Sequence, residues 1–186
     1  MMKATGVDLL SEFRREVVLK DGTPVLIRLY EPDDIHEVRN GLEKISDSSF
    51  YLRFMTSLGS LPDDQLVELK RIDHEHHLAI CAFDTSRDPM VGIGIARYVR
   101  CEGEPQVAEA AVTVIDEYQN RGLGTVLLQL LAQLANKKGI THLRAHVLSN
   151  NTPILTIAKR AGARITHYEG LVLQIDLPVA AALQNP

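Results

Sequence analysis

The chain has 186 residues, a length that fits one domain with its own hydrophobic core. Apolar residues make up 45% and charged residues 24%, and the formal net charge of -4 argues against nucleic acid as a partner. The start of the chain lacks the apolar stretch of a signal peptide, and no later apolar run is long enough to span a bilayer. We therefore predict a cytoplasmic protein without a membrane partner.

The first part of the chain predicts a β-hairpin and then helices. Residues 1–14 are expected to be a flexible lead-in, and REVVLKDGTPVLIRLY then places two β-rich runs around a turn. Acidic residues and prolines, or a serine cap, mark the starts of three predicted helices, which lie in EPDDIHEVRNGLEKI, SDSSFYLRFMTSL and LPDDQLVELKRI.

The second part predicts strands and two further helices. Three consecutive strands are expected in HLAICAF, DPMVGIGIARYV and PQVAEAAVTVI. The leucine spacing in LGTVLLQLLAQLANKKG predicts the strongest helix of the protein. A strand, a short helix and a strand pair follow up to residue 178, and residues 179–186 are left as a C-terminal tail. The order of elements is mixed α/β, with one domain over residues 15–178.

The segment QNRGLGT lies between the last of the three strands and the leucine-rich helix. Gly122 and Gly124 would let an anion approach the backbone, Arg121 could pair with it, and Thr125 has a hydroxyl at the helix start. The spacing matches neither the triphosphatase loop nor the three-glycine dinucleotide motif. Taken alone, the segment fits a structural turn as well as an anion site.

The flanking residues decide between these two interpretations. Gln119-x-Arg121-Gly122-x-Gly124, placed between a strand and a helix, resembles the acetyl-CoA loop of the GCN5-related N-acetyltransferases. HVLSNNTPILTIAKRAGA and GTPVLIRLYEPDD resemble other parts of the same family, so that the resemblance covers residues 15–176. It implies a central, mostly antiparallel sheet of six to seven strands, with a parallel pair at the coenzyme A site and about five flanking helices.

The resemblance also implies acetyl-CoA as co-substrate. In the family, a bulge before the loop turns backbone amides towards the thioester and the pantetheine arm, and the corresponding region here is 112–115. Plain strand pairing is the alternative there, as helix capping is for the family's asparagine. The residues expected to bind the coenzyme are Val112, Val114, Gln119, Asn120, Arg121, Gly122, Leu123, Gly124, Thr125 and Asn151.

A narrower resemblance concerns the bacterial protein-lysine acetyltransferases that act on acyl-CoA synthetases. SSFYLRFMTSL and AEAAVTVIDEYQNRGLGT carry it, and they place Glu109 at the position of that family's general base. A solvent-facing carboxylate on a strand is the alternative for Glu109. Many family members have a tyrosine as general acid where this chain has Ala158, so no general acid is assigned. The domain is often fused to a second domain in that family, and we expect none within these 186 residues.

The leading hypothesis is an acetyl-CoA-dependent N-acetyltransferase that acts on a protein lysine, such as a lysine of an acyl-CoA synthetase. Acetylation of a small amine is the second hypothesis, and a non-catalytic acyl-CoA-binding module is the third. No metal is expected, because DHEHH lacks metal-ligand spacing and supporting partners, and Cys81 and Cys101 are expected to be reduced thiols. The protein is expected to be a monomer or a homodimer.

Overall fold

The structure is a computed structural model that describes residues 13–55 and 69–184. Within these ranges it contains one sheet of eight strands and five α-helices. The strands are β1 (Arg14–Val18), β2 (Pro24–Leu29), β3 (His77–Asp84), β4 (Val91–Cys101), β5 (Glu104–Val114), β6 (His142–Leu148), β7 (Arg164–Glu169) and β8 (Val172–Pro178). The helices are α1 (Ile35–Leu42), α2 (Asp47–Phe54), α3 (Leu123–Lys137), α4 (Thr152–Arg160) and α5 (Val179–Gln184).

The strands follow the order β1-β2-β3-β4-β5-β6-β8-β7 across the sheet. Every neighbouring pair is antiparallel except β5 and β6, which run parallel. The mixed fold and its parallel pair are confirmed, but the sheet has eight strands rather than six to seven. The N-terminal hairpin accounts for an extra edge strand, because β1 pairs with β2 along its whole length. The helix predicted in LPDDQLVELKRI falls largely outside the described residues.

Helix α3 covers one face of the sheet with a stripe of leucines. The buried stripe consists of Leu123, Leu127, Leu130, Leu131 and Leu134. Burial of one such side chain stabilises a fold by about 1.5–3 kcal/mol, so the stripe fixes the helix on the sheet from its first residue onward. The strand beneath it comes close, since a Cβ on Gly94 would lie 3.2 Å from Leu127 Cδ1.

Helices α1 and α2 cover the opposite face. Ser46 caps α2 by accepting a hydrogen bond from the Ser49 amide at 3.3 Å, and Met55 ends the helix in a left-handed conformation. A smaller apolar cluster lies on this face and includes Tyr30, Cys81 and Phe83. Among the described residues, the long helix α3 thus lies on one face and the short helices α1 and α2 on the other.

Residues 179–184, left in a C-terminal tail by the sequence, form helix α5. Val179 and Ala182 are buried in the core, and the Val179 amide donates a 2.9 Å hydrogen bond to the Thr141 carbonyl. The sequence signal was weak because alanines set no amphipathic pattern, and the burial of Val179 fixes the helix instead. None of the helices in the described ranges combines the length and hydropathy that a membrane crossing requires.

Candidate active site

The parallel strands β5 and β6 separate halfway along β5. Among the described residues they pair only from Val107 with His142 to Glu109 with Arg144. Beyond Glu109, β5 continues to pair with β4 as far as Val114, but it has lost β6. The sheet is therefore split beside the second half of β5, and the split points towards the start of α3.

Glu109 lies at the point where the split begins. Alternation along β5 puts its side chain on the same face as those of Ala111 and Thr113, which is the face covered by α1 and α2. Glu109 is solvent-exposed, whereas Ala108 before it is fully buried on the α3 face. The carboxylate expected to act as base thus stands at the opening of the split and faces the side of the short helices.

A cavity lies between α1, α2 and this face of the sheet. It encloses about 750 Å³, open mouth included, and its lining is mostly apolar. The charged members of the lining are Glu37, Arg53 and Arg97, and Glu37 is engaged because its Oε2 accepts the Gly92 amide at 2.9 Å.

Arg53 brings a positive charge to this cavity. Its Nε donates a 3.0 Å hydrogen bond to Thr113 Oγ1, and its guanidinium carbon lies 4.8 Å from the Phe54 ring centre. Burial, with a smaller contribution from Arg97, lowers the pKa of Arg53 to about 10, while the charge of Glu109 opposes this shift. The group stays protonated at neutral pH, so the cavity holds a cation on the face that carries Glu109.

The loop before α3 has the backbone shape of an anion site. Asn120 and Gly122 are both left-handed, with φ of 60° and 93°, and they flank Arg121. Such alternation turns successive amides towards one point, and the first amides of a helix have no partner inside the helix. The first turn of α3 contains no acidic residue that would oppose an anion.

The remaining predicted loop residues differ in how they can contribute. Leu123 is buried in the core, so that its amide alone faces the loop. A Cβ on Gly124 would lie 3.2 Å from Ile157 Cδ1, which shows that this glycine lets α4 approach α3. The Thr125 amide donates to the Gly122 carbonyl at 3.1 Å and is thus already engaged.

The side chains of Gln119 and Arg121 brace the loop within the protein. Gln119 Nε2 donates to the Val114 carbonyl at 3.1 Å and to Asp116 Oδ1 at 3.0 Å. Arg121 Nη1 donates to Asp21 Oδ2 at 2.6 Å, in the turn between β1 and β2. Both side chains hold the loop in shape.

Val112 and Val114 place their side chains towards the α3 core, so only their backbone can face the split. The bulge expected at residues 112–115 is absent from the β4–β5 ladder, which runs regularly from Arg100 to Gly94 among the described residues. The separation arises on the other side, where β6 leaves β5 after Glu109. Strand β6 stays paired with β8 on its other edge as far as Leu148.

Asn151 caps α4, as expected from the helix start that follows it. Its Oδ1 accepts the Ile154 amide at 3.4 Å, and its Nδ2 donates to the Leu52 carbonyl of α2 at 3.3 Å. Capping is therefore present, and binding of the coenzyme by Asn151 stays a prediction.

Helix α2 connects three parts of the site, a role that the sequence did not reveal. Ser49 Oγ accepts a hydrogen bond from Gln119 at 3.3 Å, Leu52 accepts one from Asn151, and Arg53 donates to Thr113. Ser49, Leu52 and Arg53 occupy one helix face by their three- and four-residue spacing. The sequence indicated the Ser46 cap of this helix, but it did not indicate which residues the helix contacts.

Tyr118 and Asp84 form a second support that the sequence did not reveal. Tyr118 OH donates to Asp84 Oδ2 at 2.6 Å, and both residues are buried. The ring of Tyr118 lies 4.7 Å below the Arg121 guanidinium. The end of β3 therefore supports the loop from below.

Ala158, at the position of the family tyrosine, is buried against Val147 and Ile175. Its methyl group offers no proton, so this position of α4 supplies no acid. Within the described ranges, no group of three histidine, cysteine or acidic side chains could hold a metal ion. Cys81 and Cys101 are free thiols, and burial raises the pKa of each.

The residues present fit a coenzyme with a pyrophosphate group. The loop provides a concave backbone with left-handed residues, the positive end of a 15-residue helix, and no carboxylate in the first turn of that helix. The split beside β5 opens next to this loop, and Glu109 stands at its far end. The fold and the site thus define an α/β protein with a left-handed glycine loop at the start of a long helix and a carboxylate where the sheet splits.

Comparison with known proteins identifies the class more closely. Residues 41–162 match the model of the acetyltransferase (GNAT) family, well over half of the chain. The chain therefore belongs to the GNAT family of acetyltransferases. The GNAT domain of the PAT protein from S. lividans has a similar structure, with 26% identity and a TM-score of 0.78 over 89% of this chain and 96% of that one.

Two curated relatives are similar in sequence. Acetyltransferase Pat of Mycolicibacterium smegmatis is 31% identical over 87% of this chain, and an acetyltransferase of Pseudomonas aeruginosa is 32% identical over 65% of it. This chain spans 48% and 64% of the lengths of those two proteins. A solved acetyltransferase from Salmonella typhimurium that contains acetyl-CoA shares the fold, at 17% identity and a TM-score of 0.64 over 83% of this chain and 94% of that one.

Proposed function

We propose that the protein transfers an acetyl group from acetyl-CoA to an amine, with Glu109 as general base and a protein lysine as acceptor. The observation that carries this proposal is the place of Glu109, the last residue of β5 that pairs with β6. A carboxylate there lies where the split begins, on the same sheet face as Ala111 and Thr113, which line the cavity. The acetyl-CoA in the Salmonella typhimurium neighbour supports the choice of co-substrate.

Acetyl-CoA supplies a thioester, whose acyl carbon forms a bond to the amine nitrogen while the carbon–sulfur bond breaks. Glu109 accepts the proton that the amine must lose, directly or through one water, because a lysine amine is almost fully protonated at neutral pH. The amides of the loop around Gly122 hold the pyrophosphate. The backbone of Val112 and Val114 orients the pantetheine arm along the free edge of β5, next to Asn151 at the start of α4.

Substitution of Glu109 by glutamine tests the base. Glutamine keeps the shape of the side chain but accepts no proton, so we expect turnover to fall by about 100-fold or more. The affinity for coenzyme A, measured by calorimetry, should stay the same. Glu102→Gln, in the turn between β4 and β5, is the matched control and should retain wild-type turnover. An unchanged turnover of Glu109→Gln between pH 6 and 9 would exclude Glu109 as the base.

The acceptor is tested by release of free thiol from acetyl-CoA. An acyl-CoA synthetase with a reactive lysine is compared with a panel of small amines, and acetylation of the synthetase is read by mass spectrometry. A protein lysine as acceptor is supported by the names of the relatives, acetyltransferase Pat and the S. lividans PAT domain. Thiol release with the synthetase is the expected result.

A small amine that carries an acidic group is the second candidate acceptor. The observation in its favour is the mostly apolar cavity on the Glu109 face of the sheet, which holds the cation of Arg53. Release of free thiol from acetyl-CoA with acidic amines, but not with the synthetase, would favour this acceptor over a protein lysine. Binding of coenzyme A without release for any acceptor would favour a non-catalytic module instead.

A further inference from the structure

The turn between β1 and β2 packs against the coenzyme loop. The Lys20 amide donates to the Arg121 carbonyl at 3.3 Å, and Asp21 accepts Arg121 Nη1 at 2.6 Å. Asp21 is itself held in the turn, because its Oδ1 accepts the Thr23 amide at 3.1 Å. A segment about 100 residues away in the chain thus forms one wall of the loop.

The ion pair with Asp21 offsets part of the positive charge that Arg121 would offer to a phosphate. Arg121 is the basic residue of QNRGLGT, and its guanidinium lies between the Asp21 carboxylate and the Tyr118 ring. A phosphate that paired with it would share the guanidinium with a carboxylate at 2.6 Å. A cation without a carboxylate partner would therefore offer the loop more charge.

Lys20 is placed to supply that cation. Its stem lies along Gly122, since a Cβ on that glycine would meet Lys20 Cε at 3.4 Å, Cγ at 3.7 Å and Cδ at 3.8 Å. The ammonium is one bond beyond Cε, so it stands at the rim of the left-handed loop. In the part of the chain that the structure describes, no carboxylate forms an ion pair with Lys20. A lysine acts towards phosphate as a point charge on a flexible stem, which this position allows.

We propose that Lys20 binds the pyrophosphate of coenzyme A and that Arg121 positions the loop without contacting the phosphates. The inference rests on the proposed use of acetyl-CoA, and it adds to the site a residue from the N-terminal hairpin. The hairpin thereby acts as a part of the coenzyme site, since Asp21 fixes the loop and Lys20 supplies its charge.

Calorimetric titration of the Lys20→Met variant tests the proposal. We expect its dissociation constants for coenzyme A and for dephospho-coenzyme A to rise about threefold to tenfold at low salt, which is the usual effect of one charge-assisted contact. Pantetheine, which has no phosphate, should bind equally well to the variant and the wild type. The difference in coenzyme A affinity between Lys20→Met and the wild type should shrink as salt is added. Lys20→Arg should retain most of the wild-type affinity.

Lys137→Met is the matched control. Lys137 is also exposed but lies in the last turn of α3, about 20 Å from the loop, so its loss should leave coenzyme binding unchanged. A thermal unfolding curve for each variant verifies that it is folded.

Three results would overturn the assignment of Lys20 while the wild type binds coenzyme A normally. Unchanged affinity of Lys20→Met would remove Lys20 from the site. A loss for coenzyme A but not for dephospho-coenzyme A would move the contact to the 3′-phosphate. An equal loss for pantetheine would indicate a change of shape rather than of charge. Absence of coenzyme A binding by the wild type would overturn the proposed function as well.

Discussion

Asn151 uses both atoms of its amide group, one for each of two helices. Its oxygen caps α4 and its nitrogen bonds to the Leu52 carbonyl of α2. We expect Asn151→Ala to lower the free energy of unfolding by about 1–2 kcal/mol, because the helix cap and the hydrogen bond to Leu52 are lost together. Urea denaturation measures this change.

Asn151→Asp is the control for that measurement. Aspartate keeps the capping oxygen and favours a helix N-terminus by its charge, but it cannot donate to Leu52. Its destabilisation should therefore be clearly smaller than that of the alanine variant. Equal destabilisation of the two variants would contradict a role for the cap.

Asp84 predicts a dependence of stability on pH. Burial would raise the pKa of this carboxyl, but hydrogen bonds from Ser86 and Tyr118 outweigh burial and lower it below its usual value. A carboxyl with a lowered pKa stabilises the fold above its unfolded pKa, and this stabilisation is lost as the pH falls through the lower folded value. The contribution of Asp84 is thus complete at neutral pH.

We expect Asp84→Asn to reduce the unfolding free energy by about 2 kcal/mol at pH 7, because charged hydrogen bonds become neutral ones. The difference from the wild type should shrink below about pH 4, where the unfolded carboxyl takes up its proton. Urea titrations between pH 3 and pH 7 measure both numbers. A difference that is constant over this range would show that the charge of Asp84 does not contribute.

Substitution by alanine should have opposite effects on stability at two glycines, one in a helix and one in a strand. A Cβ on Gly41 in α1 would make an ordinary 3.5 Å contact with Ile115, whereas a Cβ on Gly94 in β4 would lie 3.1 Å from the Thr113 carbonyl oxygen and close to Leu127 of α3. We expect Gly41→Ala to stabilise by about 0.5–1 kcal/mol, because alanine favours the helix. Gly94→Ala should destabilise by about 1–3 kcal/mol through overpacking. Thermal unfolding of both variants tests the contrast, and the same sign for both would contradict it.

The elements of the site differ in how far the sequence predicted them. The strand with Glu109, the glycine loop and the leucine stripe of α3 follow one another in the chain, so local spacing indicated each of them. The partners of α2 were not readable, because helical periodicity defines a face but not what that face contacts. The same holds for Arg121, whose motif indicated an anion while the fold supplies Asp21.

At the scale of the whole molecule, the order of elements predicted a mixed α/β fold and the family resemblance implied its parallel pair, whereas residues 179–184, expected as a tail, form a helix. The prediction depended on hydrophobic periodicity, and the alanines of α5 carry little of it. Contacts between distant segments, such as that of Val179 with Thr141, have no local signature. These long-range contacts close the core and join the N-terminal hairpin to the loop.

Two side chains of helix α5 test whether its contacts with the core stabilise the fold. Val179 is 1% exposed and Leu183, one turn later, is 40% exposed. We expect Val179→Ala to lower the unfolding free energy by about 2 kcal/mol, and Leu183→Ala by less than about 1 kcal/mol. Guanidinium denaturation compares the two variants. Equal effects would mean that α5 is not held by the burial of Val179.

The split beside β5 also divides the sheet into two units, with five strands on one side and three on the other. Among the described residues, three residue pairs join them, from Val107 with His142 to Glu109 with Arg144, and the Thr141 amide donates to the Gln106 carbonyl beside them. A change in the twist between the units therefore breaks few backbone hydrogen bonds. Amide hydrogens on the inner edge of β5 should therefore exchange with deuterated water faster than those on β4, as in a locally opening unit. A ligand that fills the split would slow this exchange, and the amide hydrogens of β5 would then exchange about as slowly as those of β4.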